Sequence, residues 1–134
     1  MKQVLVIRKD LNMRRGKEIA QGAHASQLAL EGARDGNADL KIQVGKCEIS
    51  PTKKWIDLDL WMGYWAMRKI TVQVRDGGEL LEIYLKAKTA GLPCALIRDE
   101  GLTEFKGILT DTAVGIGPAP AEEIDPITSH LPLR

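Results

Sequence analysis

The strongest constraint on the fold is the run Gln3-Val4-Leu5-Val6-Ile7-Arg8, which is apolar without alternation and rich in β-branched residues. Such a run suits a strand buried on both faces. It is too short for a signal peptide. A polar loop over residues 9–15 follows, and from Gly16 the pattern turns helical. Ile19, Ala20, Ala23, Gln27, Leu28 and Leu30 mark the expected inner face, with the helix ending between Gly32 and Gly36. Strand, loop and helix in that order open an α/β domain.

The second half continues in the same style. Residues 69–75 alternate polar and β-branched side chains and predict a strand. Residues 79–90 predict a helix with Leu80, Leu81, Ile83, Tyr84 and Ala87 on one face and Gly91 as its stop. Residues 93–97 and 112–116 predict a third and a fourth strand, the last ended by Gly117-Pro118, and a short helix follows before Pro126. The 134 residues therefore read as one α/β domain with about four strands.

Residues 36–68 are less regular. Residues 41–44 suit a short extended piece, and Ser50-Pro51 suits an N-cap followed by proline in the first helical position. Trp55, Leu58, Trp61, Met62 and Trp65 then recur at helical spacing. That stripe is either a core or subunit contact, or, with exposed rings, a stacking platform for bases.

The formal net charge of +1 suggests no polyanionic partner, but the total hides a segregation. Residues 8–17 carry Arg8, Lys9, Arg14, Arg15 and Lys17 against Asp10 alone. Residues 99–126 carry Asp99, Glu100, Glu104, Asp111, Glu122, Glu123 and Asp125 against Lys106. A polyanion responds to the potential within a Debye length, roughly 8–10 Å, so the basic stretch reads as a phosphate contact or as a solvated loop.

Familiar catalytic patterns are absent. His24 and His130 show no zinc-ligand spacing, and Cys47 and Cys94 make no disulfide framework, which suits a reducing cytoplasm. There is no nucleophile elbow and no Walker loop, and Gly115-Ile116-Gly117 reads as a tight turn. No apolar run approaches the roughly 20 residues that span a bilayer. The remaining candidates lie at the carboxyl ends of strands, where open α/β sheets collect ligands. These are Arg8, Asp10 and Lys17 after the first strand, and Arg98, Asp99 and Thr103 after the third. Lys17, in the opening turn of a helix, adds its charge to the helix dipole and suits a phosphate or a developing oxyanion. Asp99 follows the buried Ala95-Leu96-Ile97 run, so it suits a general base or a salt bridge to Arg98 or Arg8.

These residues also carry a resemblance. The run from Arg8 through Asp10-Leu11, Met13 and Gly16-Lys17 to Ala20-Gln21 and His24-Ala25 resembles the signature of the type II peptidyl-tRNA hydrolases. Gly91-Leu92-Pro93, Leu96-Ile97-Arg98-Asp99, Thr112 to Pro118 and Ile124 to Leu131 are similar to the family's later blocks in order. The resemblance implies hydrolysis of the ester between a peptide and tRNA, by a mixed sheet of four strands with helices on both faces. It further implies a homodimer that needs no metal and no cofactor. Carried over residue by residue, the catalytic set is Lys17, Asp99, Thr103 and Thr112. Arg8, Lys9, Arg14 and Arg15 would contact tRNA phosphates. Asp10, Gln21 and His24 would support them, with His24 expected as a packing histidine more than as a base. Glu100 and Glu104 replace uncharged family residues, and residues 36–66 read as a tryptophan-rich insertion. Other readings are a non-catalytic RNA- or protein-binding member of the fold, and a hydrolase of smaller esters or amides.

Overall fold

A computed structural model describes residues 1–34, 42–102 and 104–134. The elements run β1 (Lys2–Arg8), α1 (Arg15–Ala33), β2 (Gln43–Val44), β3 (Cys47–Ser50), α2 (Leu58–Met62), β4 (Lys69–Val74), α3 (Gly77–Thr89), β5 (Cys94–Asp99), β6 (Thr110–Ala119) and α4 (Ala121–Thr128). The sheet order is β2-β3-β5-β6-β1-β4, with β1 and β4 parallel and every other pair antiparallel. This is the expected single α/β domain, with six strands in place of about four. The two extra strands form a hairpin, Val44 opposite Cys47, whose two-residue loop starts at Gly45 with φ +59°. Positive φ at that position is what a tight hairpin turn demands of its glycine. Lys41, the first residue of the expected extended piece, lies outside the described residues.

β1 is buried on both sides, as its unbroken apolar run requires. Val4 and Val6 join Val72, Leu80, Ile83 and Ile124 in a core under α3 and α4. Leu5 and Ile7 join Ala25, Ala29, Ala95 and Ile97 under α1. The polar Gln3, fully buried, gives Nε2 hydrogen bonds to the carbonyls of Ser26 and Gly117 and accepts one from Ser26 Oγ, so nothing there is left unpaired.

The inner face of α1 differs from the expectation. Gln21, Gly22, Ala25, Ala29, Gly32 and Ala33 face the sheet, whereas Ile19, Ala20 and Ala23 are exposed. Small side chains let the helix backbone approach β6 closely. A Cβ on Gly115 would run into the Ala25 carbonyl and stand 3.1 Å from Ala29 Cβ.

Four further expectations are corrected. Ser50 ends β3 instead of capping a helix, and the tryptophan stripe is split. α2 is capped by Asp57, buries Trp61 with its Nε1 donating to the Arg68 carbonyl, and leaves Trp55 67% exposed. β6 continues past Gly117-Pro118 because Ala119 still pairs with Lys2. α4 runs through Pro126, since burial of Ile124 and Ile127 outweighs the one hydrogen bond that proline removes. The outer edge of β4 is met by the C-terminal tail: Gln73 N–H donates to the Pro132 carbonyl and Arg134 N–H to that of Thr71.

Gly115→Ala is expected to lower stability by about 1–3 kcal/mol or more, because α1 must be pushed off the sheet. Gly22→Ala, whose methyl would meet only Leu5 Cδ1 at 3.8 Å, is expected to raise stability by about 0.5–1 kcal/mol through reduced chain entropy. Urea unfolding of the two variants checks both signs.

Candidate active site

β1, β4 and β5 all run antiparallel to β6 or parallel to one another, so their carboxyl ends share one edge of the sheet. That edge also receives the first turn of α1 and the start of β6. Residues distant in sequence meet there.

Lys17 Nζ donates to Asp99 Oδ1 at 2.8 Å, and the two side chains are only 16% and 17% exposed. The other carboxylate oxygen, Oδ2, accepts from Gly101 N–H at 2.9 Å. Gly101 has φ +77°, and a Cβ there would stand 2.6 Å from the Ile108 carbonyl oxygen, so only glycine makes this turn. Asp99 is thereby fixed from two sides. The Phe105 ring lies 5.7 Å from Lys17 Nζ.

Thr112 is fully buried on β6 and its hydroxyl donates to Gln21 Oε1 at 2.6 Å, with the Ile97 carbonyl at 3.4 Å. It therefore cannot touch a substrate as it stands. It holds Gln21, one turn along α1 from Lys17, in place. Thr103 lies outside the described residues.

The basic cluster divides. Arg8 makes a bidentate pair with Asp10, at 3.0 and 2.7 Å, and gives Nη1 to the Asp111 carbonyl. This pairing holds Asp10 below the usual carboxylate range and raises Arg8. Its charge is already spent within the fold. Lys9, Arg14 and Arg15 are exposed and enter no ion pair among the described residues, while Arg14 N–H donates to Glu104 Oε2 at 3.4 Å. Asp99 does not pair with Arg8 or Arg98. Arg98 is engaged by Asp111 at 2.9 Å and by Glu48 at 4.0 Å.

His24 is exposed and not packed within the fold, contrary to expectation. It lines, with Lys17, Gln21 and Asp99, a cavity of about 560 Å³ whose far wall is the β2–β3 hairpin. Sequence reasoning missed that wall. Its signal was Val44-Gly45-Lys46-Cys47, a glycine turn between two very short strands. The hairpin is tied down from behind: Tyr84 hydroxyl donates to Glu48 Oε1 at 2.9 Å and stands 3.0 Å from Ser50 Oγ. Among the described residues no three His, Cys, Asp or Glu side chains gather as a metal would require.

The family model described as peptidyl-tRNA hydrolase PTH2 matches residues 1–134. The peptidyl-tRNA hydrolase of Methanocaldococcus jannaschii is 41% identical over 134 residues, covering 99% of each chain. That of Methanopyrus kandleri is 40% identical over 132 residues, covering 98% of this chain and 97% of its own. That of Sulfolobus acidocaldarius is 40% identical over 134 residues, covering 99% of each.

Thr112→Val leaves the buried Gln21 oxygen without its donor and is expected to cost about 1–3 kcal/mol in urea unfolding. Thr112→Ser, which keeps the hydroxyl, is expected to recover most of that loss.

Proposed function

The chain belongs to the peptidyl-tRNA hydrolase PTH2 family, and we propose that it hydrolyses the ester of peptidyl-tRNA at the Lys17–Asp99 pair. The observation that carries the site is this pair: a carboxylate fixed at both oxygens and an ammonium beside it, at the sheet edge flanked by exposed basic residues.

The chemistry follows from the groups. Asp99 accepts a proton from a water molecule whose oxygen adds to the ester carbonyl carbon. Lys17 Nζ meets the developing oxyanion, where a preplaced donor stabilises charge as it forms. The carbonyl then re-forms, the bond to the ribose oxygen breaks, and that oxygen takes a proton as free tRNA leaves the peptide carboxylate behind. No metal or cofactor is needed for any of these steps. Gln21, held by Thr112, and His24 border the pair as supporting groups, and Thr103 belongs to the same proposed set by its place in the motif.

Lys9, Arg14 and Arg15 contact the tRNA phosphates, with Arg8 and Asp10 acting mainly to shape the loop that presents them. The protein works where tRNA is, in the cytoplasm, and no described helix is long and apolar enough to cross a membrane. We further propose a homodimer. The exposed Ile19 and the apolar groove of about 650 Å³ beside it, floored by Leu5 and Ile7, support a second copy.

On labelled peptidyl-tRNA, Asp99→Ala is expected to lower kcat about 10²–10⁴-fold, the span of general-base catalysis. Lys17→Ala is expected to lower it about 10²–10³-fold, the worth of one oxyanion donor. Wild-type protein without turnover overturns the function, and an active Asp99→Ala overturns the site. In tRNA binding, Arg14→Ala and Arg15→Ala are each expected to flatten the slope of log K against log salt by about 0.7–0.9.

A further inference from the structure

The amide of Gln21 is held at one end only. Gln21 lies one turn beyond Lys17 on α1 and is 4% exposed. Its Oε1 accepts the Thr112 hydroxyl at 2.6 Å. That separation suits an O–H···O bond, which centres on about 2.7–2.8 Å, and is short for an amide N–H···O bond at about 2.9–3.0 Å. The other acceptor within reach of the hydroxyl, the Ile97 carbonyl, stands at 3.4 Å. Thr112 therefore occupies the oxygen side of the amide and leaves Nε2 for another partner.

Among the described residues Nε2 has no hydrogen-bond partner, and no fully buried side-chain nitrogen or oxygen is left unpaired. The amide nitrogen thus reaches open space. The open space beside Gln21 is the cavity that it lines with Lys17 and Asp99. A donor on so deeply buried a side chain calls for an acceptor that arrives from outside. Lys17 and Gln21 are four residues apart on one helix, which sets their Cβ atoms about 5–6 Å apart. Two donors each about 2.7–3.1 Å from one oxygen are at most about 6 Å from each other, so both can meet on the same atom.

The reaction offers two oxygens to Nε2. The attacking water turns its lone pair to the carbon and its proton to Asp99, and a donor on that oxygen would hold back the electrons that attack. The ester carbonyl oxygen only accepts, and it gains charge as the attack proceeds. We propose that Gln21 is a catalytic residue whose Nε2 donates to this carbonyl oxygen beside Lys17, with Thr112 as the positioning residue that acts through it. The assignment rests on the hydrolysis proposed above. Gln21 keeps both amide protons throughout. As the water oxygen bonds to the carbonyl carbon, the C=O electron pair moves onto the oxygen facing Nε2, and it returns when the bond to the ribose oxygen breaks.

The test measures single-turnover hydrolysis of Nα-acetyl-leucyl-tRNA with the full chain in saturating excess, so that the rate constant does not depend on the folded fraction. Gln21→Met removes the donor. Gln21→Glu, assayed at pH 8, keeps an acceptor for Thr112 but presents no N–H. Both are expected to lower the rate constant about 10²–10³-fold, the worth of one oxyanion donor. The inhibition constant of deacylated tRNA should stay within threefold. Thr112→Val is expected to lower the rate constant at least tenfold, and Thr112→Ser to recover most of that loss. A Gln21→Met rate constant within threefold of wild type, while Asp99→Ala is inert, overturns the assignment and leaves the hydrolysis standing. A fall in Gln21→Met that Gln21→Glu does not share also overturns it, because the bond to Thr112 then matters and the donor does not. A loss that appears only in the tRNA constant overturns it as well, since Gln21 then serves binding alone. A wild type without turnover overturns the assignment and the hydrolysis together.

Discussion

The close approach of α1 to β6 at Gly115 sets the position of everything that follows. The Ala25 carbonyl sits where a side chain of residue 115 would otherwise be, so the helix has one depth and one rotation available on the sheet. That rotation sends Gln21 down onto Thr112 and Lys17 across to Asp99. A larger residue at the contact would move the helix and separate both pairs at once. Packing of small residues, rather than any polar bond, therefore aligns the candidate chemistry.

Around that frame, ion pairs sort the charges by task. Arg8 and Arg98 neutralise Asp10 and Asp111 within the sheet edge, while Lys17 and Asp99 occupy each other in a half-buried position. Lys9 and Arg14 in the loop before α1, with Arg15 at the helix start, stay exposed and outside any ion pair among the described residues. A protein of near-zero net charge can thus carry a local field of one sign, because most of its opposite charges are spent in pairs that hold the fold together.

Much of this was legible in the sequence. The Val4–Ile7 run foretold a strand covered on both faces, because full burial removes the need for alternation. Lys17 and Asp99 were identifiable because strand ends and helix starts leave clear marks. The inner face of α1 was misread for a physical reason: Gly22, Ala25 and Ala29 carry little hydrophobic signal, and the larger Ile19 points outward. The β2–β3 hairpin was hidden by its brevity, β2 being two residues long. The partnership of Thr112 with Gln21 spans 91 positions and exists only through packing, so no local pattern announces it. Trp61 and Trp55 share a spacing yet lie in opposite surroundings, which spacing alone does not distinguish.

The C-terminal tail has a consequence for how chains of this kind meet. An open strand edge is a template for intermolecular backbone pairing, and a parallel strand such as β4 at the margin of a sheet would offer one. Here the carbonyls of Thr71 and Pro132 accept from Arg134 and Gln73, so that rim is already occupied by residues 132–134 of the same chain. The opposite rim is β2, too short to nucleate a ladder. Association between copies is thereby steered away from continuous sheet growth and toward contacts between side chains, where shape and sequence discriminate partners.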